Sequence, residues 1–451
     1  MSAETDSSGY QTDQYFDDSD WEYHEAPDSD DHSSHRAIDS PTLNGHTDSP
    51  VHFTTSILDL PPELLGQIGA CSSLPTHHSL RLACRSLYSG TMHSYYTKTL
   101  RVTKTDLTSK SLEPLNWIAA DEQRAAYVRE LHVTYLHGHG IRRGTLAWHF
   151  RAPCRSVVPQ PASQELQCIV RRLSNCDSFW FDHTDPVSDW HRPYDRPPIA
   201  DALAIILPAL ADCGRKIREF QFDTQGESYD ELKPFIKMNP VAGAMGSPEL
   251  WSKLEYLSLG VVWPKSRLPA INFPLHILPY AAKLRELTLH LNCEDRVEDV
   301  PELLESLFTS TYPFRLESLV LYRTHGIASE SLSRFLRMHS QTLREIRFNR
   351  VTLSHGSWMP VLKSLATPRG FPALGDICLA ELFQPGPRGL GCLDFSKAVQ
   401  DQPEYGISGD QVRLAHDTIE WHCWPEESIC YAGPRMDIAF RRIADGAVLK
   451  S

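Results

Sequence analysis

One hydrophobic pattern recurs along most of the chain: apolar-x-x-apolar-x-apolar. It occurs at Val128/Leu131/Val133, Ile217/Phe220/Phe222, Leu254/Leu257/Leu259 and Leu284/Leu287/Leu289, then at Leu316/Leu319/Leu321, Leu343/Ile346/Phe348 and Leu374/Ile377/Leu379. From Ile217 onward the starts are 37, 30, 32, 27 and 31 residues apart. Alternating apolar and polar positions predict short strands with one buried face. Helical patterns lie in most of the gaps, at Ala202–Cys213, Phe273–Lys283, Val300–Ser310, Ala328–His339 and Trp358–Ala366. A strand–loop–helix unit repeated at this period cannot close its own core, so neighbours must stack. The expected body is α/β, an irregular leucine-rich-repeat solenoid with a parallel sheet on one side and helices on the other. Residues between the inward apolar positions, such as Glu255, Ser258, Arg285, Glu286 and Thr288, then face outward, as do Glu317, Ser318, Arg344, Glu345 and Arg347.

Ahead of the repeat the texture is helical. Leu60-Pro61-Pro62-Glu63-Leu64-Leu65 reads as a helix start, since proline is tolerated in the first turn and Glu63 suits its positive end. Leu64, Leu65 and Ile68 share a face. A break over Ser72–Thr76 precedes a second predicted helix, Ser79–Tyr88, with Leu80, Ala83, Cys84, Leu87 and Tyr88 at helical spacing. Gly66 and Gly69 each weaken the first helix by about 1 kcal/mol relative to alanine.

Composition changes the picture at the front of the chain. Residues 1–50 hold 13 acidic residues against a single Arg36, whereas the rest carries 43 basic and 44 acidic residues. Residues 1–53 are poor in branched aliphatics and are expected to be a disordered acidic tail. The near-neutral remainder has no basic stripe for a nucleic-acid partner. No signal-peptide pattern opens the chain, and no apolar run approaches membrane-spanning length. The eleven cysteines are scattered without a CxxC pair, and Cys84, Cys168 and Cys378 sit in apolar patterns. That usage fits reduced thiols in the cytoplasm or nucleus. Two stretches break the period, residues 137–165 and 182–198, and read as inserted loops.

Motifs for chemistry are not found. The sequence has no phosphate loop GxxxxGK[ST], GxSxG elbow or HExxH. His416, His422, Cys423 and Cys430 are of metal-ligand type, but their spacing matches no zinc pattern. His137 and His139 lack a carboxylate partner at useful spacing, and His183, Asp185 and His191 lie in an expected loop. No catalytic residue, metal or cofactor is therefore expected.

The segments Leu60-Pro61-Pro62-Glu63-Leu64-Leu65-x-x-Ile68 and Leu80-Arg81-Leu82-Ala83-Cys84-Arg85-x-Leu87-Tyr88 resemble the F-box, in the form seen in many fungal proteins. Trp117–Val133 is similar to the junction that follows such F-boxes. The resemblance implies a division into an acidic tail (1–53), a helical F-box (54–95), a leucine-rich body (96–384) and a C-terminal capping region (385–451). It also implies a role: a non-enzymatic substrate-recognition subunit of a Skp–cullin–F-box ubiquitin ligase, binding a protein substrate through the body. Leu60, Pro61, Leu64, Leu65, Ile68, Leu82, Cys84 and Leu87 would then lie at the interface with a Skp-family adaptor. The alternative is a leucine-rich scaffold with a degenerate F-box and no ligase role.

Overall fold

A computed structural model of the chain describes residues 56–107, 109–134, 161–182, 199–223, 246–263, 276–293, 301–387, 389–399, 413–417, 426–433 and 435–450. The expected acidic tail lies outside these residues, as do 135–160 and 183–198, which make up most of the two expected insertions.

Three helices open the described chain: α1 (Pro62–Cys71), α2 (Leu74–Ala83) and α3 (Arg85–Thr99). The single helix expected over Ser79–Tyr88 is thus two, divided where Cys84 adopts an extended backbone. Then follow β1 (Val102–Thr105), α4 (Ser109–Ala120), β2 (Glu130–Thr134), α5 (Pro161–Arg172), β3 (Ser178–Asp182), α6 (Ile199–Asp212), β4 (Glu219–Asp223), β5 (Tyr256–Trp263) and β6 (Glu286–Cys293). The second half holds α7 (Pro301–Thr309), β7 (Ser318–Tyr322), β8 (His325–Ala328), α8 (Ser329–Met338), β9 (Glu345–Asn349), β10 (Thr352–His355), α9 (Trp358–Leu365), β11 (Asp376–Ala380), β12 (Phe383–Gly386) and β13 (Gly389–Asp394). The last elements are β14 (Arg413–Asp417), β15 (Glu426–Ala432), α10 (Met436–Gly446) and β16 (Val448–Lys450).

The fold is mixed α/β. Its larger sheet has eleven strands in the order β1-β2-β3-β4-β5-β6-β7-β9-β11-β15-β14, parallel from β1 to β11 and antiparallel thereafter. The recurring apolar positions fall into two register rows. Leu131, Phe179, Phe220, Leu257, Leu287, Leu319, Ile346 and Ile377 form one, and Val133, Phe181, Phe222, Leu259, Leu289, Leu321, Phe348 and Leu379 the other. All sixteen are buried and belong to one continuous core. Each such side chain contributes about 1.5–3 kcal/mol by leaving water, and a slip of one residue would turn a whole strand inside out. Parallel neighbours need a crossover, and helices supply it: α4 packs on α5, α5 on α6, α7 on α8 and α8 on α9.

Most predicted gap helices match α6, α7, α8 and α9. Over the expected helix Phe273–Lys283 the described part starts at His276; residues 276–277 are α-helical and Leu278–Tyr280 continue as a 3-10 helix. Residues 161–165, expected in an insertion, begin α5. Strand β3 escaped the sequence reading because its pattern starts on cysteine, as Cys176-x-x-Phe179-x-Phe181.

A second, five-stranded sheet runs β16-β13-β12-β10-β8. The chain reaches it by the same device three times. Arg323, Arg350 and Glu381, directly after β7, β9 and β11, all have positive φ (47°, 53° and 46°). The Arg323 amide donates to the Asn349 carbonyl at 2.9 Å and the Arg350 amide to the Ala380 carbonyl at 3.1 Å. Arg350 also pairs with Glu381. Left-handed backbone is unfavourable for such residues, so surrounding hydrogen bonds must hold it. At the far end α10 packs on α9, and buried Arg442 donates to the Ala398 carbonyl at 2.6 Å.

Candidate functional site

The first candidate is the helical unit. α3 is its spine, with α1 and α2 both packed on it. Leu65 is buried against Gly90 of α3. His77 of α2 is fully buried, its Nε2 3.1 Å from the Thr91 carbonyl oxygen and 3.4 Å from Ser94 Oγ. Nε2 therefore carries the proton toward Thr91, and burial holds the ring's pKa below its ordinary value. Lys98 of α3 donates to the carbonyls of Gly69 and Ser72, closing the end of α1. Arg81 lies 3.7 Å from the Tyr95 ring centroid and 4.5 Å from that of Tyr88. The unit joins the body through Tyr96, Tyr127 and Arg124: the two tyrosine rings meet edge-on at 5.4 Å, and Arg124 Nε donates to the Tyr96 hydroxyl at 3.4 Å.

The eight residues singled out from the sequence divide. Leu65 and Leu87 are buried within the chain (4% and 6% exposed), which assigns them to the unit's own packing. Leu60, Ile68 and Cys84 are half-buried, whereas Pro61, Leu64 and Leu82 are exposed, Leu82 at 86%. Ile57, Leu58, Leu74 and Tyr88 join them as exposed apolar side chains that the sequence reading did not nominate. Over the rest of the described chain the exposed large hydrophobics are Val102, Trp117, Leu390 and Val448, spread from one end to the other. Six of these ten exposed large hydrophobics thus fall within Ile57–Tyr88.

The second candidate is the outer face of the large sheet, carrying the residues that alternate with the buried rows. Its most distinctive feature is aromatic. His132 and Trp180, neighbours in register, stack at 4.7 Å with 9° between planes, and Trp180 continues to Tyr256 at 6.4 Å and 17°. Burial keeps the His132 pKa low, against the pull of Glu130, whose Oε2 lies 3.5 Å from Nε2. Farther along, His290 meets Tyr322 edge-on at 4.6 Å.

Charges on this side are mostly paired. Arg218 bridges Asp177 and Glu219 at 3.3 and 2.8 Å, and Glu317 lies 3.6 Å from both Arg285 and Arg344. Arg347 pairs with Glu345, which also accepts from Ser318 Oγ at 2.9 Å. Glu286 differs. It is exposed, stands in register between Tyr256 and Ser318, and has no ion-pair partner among the described residues. Partial desolvation by the surrounding strands, then the carboxylates of Glu345, Glu219 and Glu317, push its pKa up. Of the ten residues expected to face outward, Ser258 and Ser318 are instead buried (7% and 9%). Both still stand in the outward register rows, Ser258 between Gln221 and Thr288 and Ser318 between Glu286 and Glu345.

Among the described residues no group of three or more His, Cys, Asp or Glu is placed to hold a metal ion. His422 and Cys423 lie outside those residues, as do His137, His139, His183, Asp185 and His191. Cys430 is in β15 and faces Cys378. Among the described residues no helix is long and apolar enough to cross a membrane. In comparisons with known proteins, no family model and no curated sequence matches the chain.

Proposed function

We propose that the chain is a substrate-recognition subunit of a Skp–cullin–F-box ubiquitin ligase, working in the cytoplasm or nucleus, with catalysis left to other subunits. In this reading α1–α3 form the F-box, and the strand–helix body is a leucine-rich solenoid whose outer sheet face receives a protein substrate. The observation that carries it is the concentration of exposed apolar side chains in Ile57–Tyr88, including Leu64 and Leu82, on a unit whose own core is already filled by Leu65, Leu87 and His77. Apolar anchors left over after a unit has closed its interior suit helix-face docking by an adaptor. The Glu286 carboxylate and the His132–Trp180–Tyr256 stack supply the body with a surface suited to a partner bearing cationic side chains.

Co-purification of the full chain with a Skp-family adaptor tests the first part. Wild type is expected to bind. The double variant Leu64→Asp/Leu82→Asp is expected to lose binding with an unchanged thermal melt, because both side chains already face water. Failure of the wild type to bind at micromolar concentration, or full binding by the double variant, overturns the reading. The second reading, a scaffold in which the helices cap the body, is favoured by the Tyr96–Tyr127–Arg124 junction. It predicts that deleting residues 54–95 unfolds the body.

A further inference from the structure

We infer that Cys378 and Cys430 form an oxidant-sensitive dithiol, a modification site that closes to a disulfide across the outer face of the large sheet. The two residues are direct register partners on antiparallel β11 and β15. Their sulfurs are 3.1 Å apart, with Cys430 Sγ donating to Cys378 Sγ. Both side chains are half-buried, open to a small reagent. Cys378 lies in the register row of Trp180, Ser258 and Arg347, which alternates with the two buried apolar rows. Arg347 is the register partner of Cys378 on the side away from Cys430.

Closure requires the sulfurs to approach by about 1 Å, to a bond length of about 2.05 Å. Directly opposed residues on antiparallel strands hold their Cβ atoms roughly 4.5–5.5 Å apart, so reaching the roughly 3.5–4.5 Å of a disulfide takes a further approach of about 1 Å. The reaction needs hydrogen peroxide as its oxidant. One thiolate attacks a peroxide oxygen, the O–O bond breaks, and a sulfenic acid forms while the departing hydroxide takes up the proton the thiol released and leaves as water. The second thiol attacks that sulfur, the S–O bond breaks, and a second water leaves with the S–S bond made. Two thiols lose two protons and two electrons, and the peroxide is reduced to water. The new bond would fasten β15 to β11 where the sheet changes from parallel to antiparallel, closing the loop that contains β12, β13 and β14.

Peroxide treatment of the reduced full chain, alkylation, digestion without reductant and mass spectrometry test this directly. The expected product is a Cys378–Cys430 linked peptide that appears before oxidation of exposed Cys71 and Cys168, while buried Cys176 stays unmodified. The oxidised chain should melt at higher temperature than the reduced chain, and Cys378→Ser and Cys430→Ser should each abolish both effects. Recovery of Cys378 and Cys430 fully alkylated while Cys71 and Cys168 are oxidised overturns the proposal. So does linkage of either residue to a different cysteine. Peptide mapping of the wild type decides the matter even if a serine variant folds poorly.

Discussion

Gly69 of α1 lies so close to Ser94 of α3 that a Cβ placed on it would stand 2.5 Å from the Ser94 hydroxyl oxygen. The same Cβ would meet His77 Nε2 at 3.1 Å and Thr91 Cβ at 3.2 Å. The glycine that costs the isolated helix about 1 kcal/mol is what lets α1 approach α3 over the buried His77. At Gly66, almost one turn earlier, an added Cβ would meet only the Gly90 carbonyl oxygen, at 3.6 Å.

Opposite signs are therefore expected for two like substitutions. Gly69→Ala should destabilise the unit by about 1–3 kcal/mol, as overpacking does. Gly66→Ala has room and should stabilise it by roughly 0.5–1 kcal/mol through helix propensity. Denaturant melts of the two variants check both.

Leu65 and Leu82 should separate folding from binding. Leu65→Ala removes a buried side chain and is expected to cost about 2–5 kcal/mol. Leu82→Ala should change stability by less than about 0.5 kcal/mol while weakening adaptor co-purification. An equal loss of stability in both variants would show that Leu82 is covered by the chain itself.

His339 should make the body acid-sensitive. It is buried, its Nδ1 accepts from the Leu316 amide at 3.3 Å, and burial with the nearby Arg315 charge holds its pKa down to about 4. The unfolded chain binds a proton near pH 6.5, but the folded chain does so only near pH 4. Stability is thus full above about pH 6.5 and falls as pH drops toward 4, by on the order of 3 kcal/mol in all. His77, His132 and His325 are shifted in the same direction. Melts of wild type and His339→Gln between pH 7 and pH 4 should show a shallower loss in the variant.

Glu286 should be unfavourable to the free chain and useful in a complex. Removing its charge by Glu286→Gln relieves repulsion from Glu345, Glu219 and Glu317 and should raise stability by a few tenths of a kcal/mol. The same change, and Trp180→Ala, should reduce recovery of a substrate by the full chain without affecting adaptor binding. Unaltered recovery in both variants would remove this face from substrate recognition.

The register rows were legible because each strand repeats an inward apolar pair that burial can read only one way. Leu257/Leu259 and Leu319/Leu321 name their own orientation. The second sheet was not legible. Thr352–His355 and His325–Ala328 are short and carry no periodic apolar signal, and the kinks that lead to them fall on arginine and glutamate, residue types that do not announce left-handed backbone. For the candidate surfaces, helical spacing singled out Leu64, Leu65 and Leu87, and the F-box resemblance added Leu82. Neither could show which of them the chain would keep for itself.

By itself, then, the sequence determined the α/β class and the positions and inward faces of the seven strands that carry the recurring apolar pattern, because periodicity is a local property that the hydrophobic effect reads residue by residue. The tertiary structure alone decided that Cys84 divides α2 from α3, that Leu65 is inside and Leu82 outside, and that Cys378 meets Cys430. Those outcomes depend on which segments, distant along the chain, come to occupy the same space.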